Sequence, residues 1–191
     1  METKMSYRNL CAGLLAILLS ARAAYADDLC AKVFNDSWQE YQGTSLTSAM
    51  QQLTTIVKVP YIAFFCSGLA VDELAISEIA FPVEYPTIIF IGLNNDLEKQ
   101  HPEIILGILA HELAHYFAPA GRECGSYRSE NEIVEFTSCE AAVDTYAASW
   151  VGEPVMLQTL KTSYAFRLTQ PGHSATEALV QSLAARIAAL E

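Results

Sequence analysis

Pro102-Glu103-Ile104-Ile105-Leu106-Gly107-Ile108-Leu109-Ala110-His111-Glu112-Leu113-Ala114-His115-Tyr116-Phe117 reads as one helix on which the rest of the chain depends. Proline at its first position needs no hydrogen-bond partner for a missing N–H, and Pro119 and Gly121 stop the helix soon after Ala118. Between Ile104 and Phe117 the only formally charged residue is Glu112, and nearly every other position is apolar. A helix that is apolar all round is a buried helix. Two histidines and a glutamate inside it are costly unless they find partners.

Those three residues form His-Glu-x-x-His. On a helix, positions four apart differ by about 40° in azimuth and about 6 Å in rise, so both imidazoles reach one metal ion. Glu112, one residue along, is angled aside and is suited to take a proton from water rather than to ligate. With 4 His and 16 Glu in the chain, chance supplies this motif roughly 0.007 times, which favours a metal site over a pair of satisfied core histidines.

Two histidines leave a catalytic zinc site one protein ligand short. His101 precedes Pro102, outside the helix, and His173 lies in a Pro171-Gly172-His173-Ser174 turn. Gly121 stands six residues after His115, so the three-histidine version of the motif is absent. A second long helix, expected from Glu130 to Val151, offers the missing ligand. Its wheel places Ile133, Thr137, Ala147 and Val151 on one stripe and Asn131, Glu135, Ser138 and Ser149 opposite. Glu140 and Asp144 fall on the apolar stripe, where a carboxylate needs a cation or strong donors. Glu140 is therefore the expected third ligand. Asp144 is expected to accept the free ring N–H of His111 or His115.

Around this pair the remaining elements are ordinary. Leu46, Met50, Leu53 and Val57 recur at helical spacing, so a helix starts near Thr44 or Ser45. Tyr61–Cys66 and Thr87–Ile91 are short β-branched and aromatic runs, read as strands. The latter is either an edge that could pair with an extended peptide or an internal strand. Ser129 with Glu132 is read as a capping box for the second long helix. Further helices are expected over 155–168 and 175–190, the last capped by Ser174 and Glu177 and burying Leu179, Leu183, Ile187 and Leu190. No repeat or linker is visible, so residues 27–191 form one α+β domain with a short antiparallel or mixed sheet and a helical C-terminal half.

Composition excludes several functions. The 191 residues carry 22 acidic against 11 basic side chains, a net charge of −11, which leaves no basic stripe for nucleic acid or for polybasic recruitment to a membrane. An apolar content of 52% excludes disorder. Part of it belongs to residues 1–26, which read as a cleaved signal peptide. Lys4 and Arg8 precede 13 uncharged residues, and Ala24-Tyr25-Ala26 offers a cleavage site. Thirteen helical residues span about 20 Å, short of a bilayer core of about 30 Å, so no stable membrane span is expected after cleavage. Cys11 lies at the start of the apolar run rather than after it, against a lipoprotein. Its removal leaves four cysteines. The short Cys124–Cys139 loop favours that pair and leaves Cys30 with Cys66, as suits an exported, periplasmic or secreted protein.

The His111-Glu112-Leu113-Ala114-His115 motif followed by Glu140-Ala141-Ala142-Val143-Asp144 resembles the gluzincin metallopeptidases, which share HExxH and a ligand Glu within ExxxD. Pro86–Leu93 followed by Glu103–Phe117 is similar to the edge strand and active-site helix of their HtpX/CAAX-protease-like group. The resemblance covers residues 85–150 and implies a small zincin-like domain. It implies one Zn2+ per chain on His111, His115 and Glu140, with Glu112 as general base and Asp144 orienting a histidine. The expected activity is zinc-dependent endopeptidase, with a peptide or protein as substrate. A zinc-binding module acting through a protein partner, and a zinc hydrolase of cell-wall peptides, are the alternatives. A second oxyanion donor is usual in such enzymes, and Tyr127, Arg128, Tyr146 and His173 are open candidates.

Overall fold

A computed structural model describes residues 29–33, 39–41, 45–57, 62–68, 79–80, 88–94, 97, 99–118, 124, 132–169 and 174–191. The proposed signal peptide, residues 1–26, lies outside them, as do Tyr127, Arg128, Ser129 and His173.

Five helices carry most of the described chain: α1 (Ser45–Ile56), α2 (Pro102–Phe117), α3 (Ile133–Val151), α4 (Glu153–Leu168) and α5 (Ser174–Leu190). A short helical stretch at 29–33 precedes them. Four strands, β1 (Gln39–Glu40), β2 (Ile62–Gly68), β3 (Ile79–Ala80) and β4 (Ile88–Asn94), pair in the order β1-β2-β4-β3. The long pair, β2 with β4, is parallel from Ile62 opposite Ile88 to Gly68 opposite Asn94. The outer two strands are antiparallel to their neighbours and only two residues long.

The α+β zincin-like architecture expected from sequence is corrected by this balance. Helix accounts for 87% of the residues whose side chains are described. Of the strand side chains described, Cys66, Ile91 and Leu93 are fully buried, while α1 to α4 supply most of the core formed by the described residues. The physical reason is length. A two-residue strand brings little side-chain area to a core, whereas a helix of 12 to 19 residues brings a stripe several turns long. The described part of the fold is mainly helical.

Helix α2 is the centre. It packs on α1, α3 and α4, and α5 packs on α3 and α4. Every residue from Ile104 to Ala110 is buried, as are Glu112 to Ala114, because the helix has no polar face to turn outward. Pro102 begins α2, and His101 caps it, its Nδ1 accepting from the Glu103 N–H at 3.5 Å. His101 is thereby occupied on the surface, away from the pair it might have joined. Gly107 lets α4 approach closely, since any Cβ there would strike the Thr159 side chain. Between α3 and α4 the chain turns at Gly152, whose φ of 93° is open to glycine and strained for other residues.

Three local expectations change. Helix α3 begins at Ile133 rather than Glu130, with Glu132 in helical geometry at the cap position and making no side-chain cap bond there; Ser129, the partner in the expected capping box, lies outside the described residues. Ser174 is the first residue of α5, not a cap before it. The run Thr87–Ile91 contributes to β4, which is an internal strand between β2 and β3 rather than an edge. Among the described residues no helix is long and apolar enough to cross a membrane.

The four cysteines other than Cys11 form two pairs, Cys30–Cys66 and Cys124–Cys139, with Cα separations of 5.6 and 5.5 Å. Such bonds persist in oxidising compartments. Cys139 is the residue before Glu140, so the second bridge ties the segment at Cys124 to the turn of α3 that carries that carboxylate.

Candidate metal centre

The helical period of α2 turns His111 and His115 to one side, and packing of α3 across it sets Glu140 and Asp144 opposite them. The four groups meet over short distances. His111 Nε2 lies 3.2 Å from His115 Nε2 and 3.2 Å from Glu140 Oε2, and His115 Nε2 lies 3.5 Å from Glu140 Oε1. All three residues offer one donor atom within 4.8 Å of the others, so they could hold a metal ion. Tetrahedral ligands about 2.0–2.1 Å from an ion are spaced by roughly 3.3 Å. His111 Nε2 stands near that spacing from both His115 Nε2 and Glu140 Oε2, while His115 approaches the other Glu140 oxygen.

A carboxylate can only accept, so the 2.8 Å contact between His111 and Asp144 has His111 Nδ1–H donating to Asp144 Oδ1. That bond fixes a proton on Nδ1 and aims Nε2 toward His115 and Glu140, so Nε2 is the nitrogen left to bind an ion. Of the two histidines considered as Asp144's partner, His111 is the one bonded. Glu112 is buried, with Oε1 3.8 Å from His111 Nε2, beside the donors rather than among them.

One residue here escaped sequence reasoning. Arg186 of α5 reaches the site with Nε donating to Asp144 Oδ2 at 2.7 Å and Nη2 to Oδ1 at 2.9 Å. Its Nη1 stands 3.3 Å from Glu140 Oε2. Of the stripe expected on α5, Leu183 is buried, and the buried face is turned from the other three. The buried face is Ala178, Ser182, Leu183 and Arg186, while Leu179, Ile187 and Leu190 are half-buried. The missed signal was a lone arginine in an alanine- and leucine-rich helix, at i+4 from Ser182 and i+8 from Ala178.

Charges shift accordingly. Burial alone would lower the pKa of His111, but the hydrogen bonds and charges of Asp144 and Glu140 outweigh it and raise it from 6.5 to about 10. Burial works against the ionised form of Glu140, yet His111, Arg186 and His115 bring it down to about 2. Asp144, likewise opposed by burial, is held well below the usual carboxylate range by Arg186 and His111. Without an ion, His111 therefore carries a second proton at neutral pH that a cation must displace. Zinc titrated into metal-free protein at about pH 7.5 is expected to release about one proton per chain, read with an indicator dye in weak buffer. Zinc uptake with no acidification would show that His111 is not a ligand.

Of the four oxyanion candidates only Tyr146 is among the described residues. Its ring meets Trp150 edge-on at 5.2 Å, and Trp150 in turn meets Phe117 at 5.7 Å, so it stands in an aromatic cluster against the core.

Compared with known proteins, the chain matches no family profile and no curated protein.

Proposed function

We propose that the protein is an exported zinc-dependent endopeptidase with a gluzincin-type ligand set. The observation that carries this reading is the convergence of three donor residues, His111, His115 and Glu140, to within 4.8 Å of one another, with a buried glutamate beside them. Zinc suits one carboxylate oxygen and two imidazole nitrogens, and when bound it would supply Lewis acidity toward a substrate carbonyl and toward water. The remaining work belongs to side chains of this chain. Glu112 accepts a proton from the attacking water and returns it to the departing amine. Asp144 fixes the tautomer of His111, leaving Nε2 as the ligand atom. The Cys124–Cys139 bridge steadies the turn that presents Glu140 and suits a periplasmic or secreted setting.

Metal binding by itself does not need Glu112, which is why the enzyme reading is preferred over a zinc-binding module serving a partner protein. The test is metal content of the purified protein together with cleavage of an unstructured protein such as casein. About one zinc per chain is expected, with cleavage abolished by a chelator and restored by added zinc. Protein that holds zinc but cleaves no peptide, even after limited proteolysis, would instead support the binding module. Activity confined to cell-wall peptides would place it among hydrolases of that class.

A further inference from the structure

Arg186 does more than fill a space on α5. Its planar fork takes both oxygens of Asp144, and its third nitrogen reaches the same Glu140 oxygen that stands 3.2 Å from His111. Asp144 is fully buried and divides its Oδ1 between Arg186 and His111, so turning one partner turns the other. A second bond ties α5 to α3 nearby. One turn earlier on α5, Ser182 Oγ accepts from Thr137 Oγ1 of α3 at 2.9 Å. Glu112, Glu140 and Asp144 are all buried, and with neutral imidazoles they and Arg186 leave a net charge of two minus, the complement of a divalent ion.

We propose that Arg186 is a positioning residue of the metal centre, acting through Asp144 and Glu140 to set the direction of the His111 and Glu140 donors and to match the buried charge to a divalent cation. The inference rests on the metal reading above. It makes α5 part of the site although α5 supplies no ligand, so the centre is complete only once the C-terminal helix has docked. A lysine cannot replace the arginine in this role, because a single ammonium cannot span both Asp144 oxygens and Glu140 at once.

The test compares wild type with Arg186→Met, Arg186→Lys and the double variant Asp144→Asn/Arg186→Met. Thermal melts of metal-free protein, zinc affinity by chelator competition and the visible spectrum of the cobalt-substituted form are read for each. Arg186→Met is expected to melt at lower temperature and to bind zinc about 10- to 100-fold more weakly, with an altered cobalt spectrum. Arg186→Lys is expected to regain melting temperature more than affinity. The double variant leaves no buried charge of this pair without its counterpart, so its melting temperature should return toward wild type while its zinc affinity stays low. It also carries the test if Arg186→Met does not fold. A double variant that binds zinc within about threefold of wild type, with an unchanged cobalt spectrum, would show the pair to be structural and overturn the inference alone. Wild type that takes up neither ion would overturn the metal reading and this inference together.

Discussion

Glu112→Gln is expected to keep its zinc and its fold and to lose peptide hydrolysis by about 100-fold or more. The substitution preserves side-chain size and a hydrogen-bonding oxygen but removes the proton acceptor. Glu112 is buried beside the donors, 3.8 Å from His111 Nε2, and the three ligand groups do not include it. Its loss should therefore fall on turnover and spare metal content. The measurement is kcat/KM on a quenched peptide or on casein, with zinc stoichiometry determined on the same preparation. A variant as active as wild type would remove Glu112 from the chemistry and trace any wild-type activity to a contaminant. A variant that loses zinc in parallel with activity would make Glu112 a ligand and redraw the donor set.

The second large effect is loss of the metal itself. Glu140→Gln should weaken zinc binding far more than Glu135→Gln, because Glu140 faces both histidines from the buried stripe of α3 while Glu135 is exposed. Surface changes such as the latter usually alter stability by no more than about 0.5 kcal/mol. His115→Ala should release the metal and lower thermal stability together, since an ion that binds only the folded chain stabilises it. At saturation of about a thousand times the dissociation constant that contribution is about 4 kcal/mol. Chelator competition and melting with and without zinc separate the two effects. Equal zinc affinity in Glu140→Gln and Glu135→Gln would remove Glu140 from the site. A His115→Ala protein whose melting temperature still rises with zinc as in wild type would remove His115.

Both predictions rest on groups that were legible to different degrees. His111, Glu112 and His115 lie within five residues of one helix, so their relative placement follows from a local period that packing barely alters. Glu140 and Asp144 were legible one step further, because two carboxylates on an otherwise apolar stripe are conspicuous. Both prove buried, and Asp144 fully so. Which histidine Asp144 would bind was open in the sequence, since either ring is compatible with the wheel. The balance of helix and strand was misjudged because apolar runs reveal that segments are buried without revealing how much core each supplies. Helix α3 starts at Ile133 rather than Glu130 for a related reason, since helix ends depend on local geometry that residue types signal only weakly.

By itself, then, the sequence determined the central buried helix, the two imidazoles and carboxylate it carries, and the stripe of α3 that must find a cation. These are consequences of the 3.6-residue period and of the cost of burying charge. Only the tertiary structure decided that His111 is the histidine that bonds Asp144, and that an arginine of the last helix closes the constellation. Those contacts join residues 33 and 42 positions apart. They depend on the rotation of each helix about its own axis where it packs on α3, and a shift of one residue turns a helix by about 100°, enough to carry Arg186 off the interface.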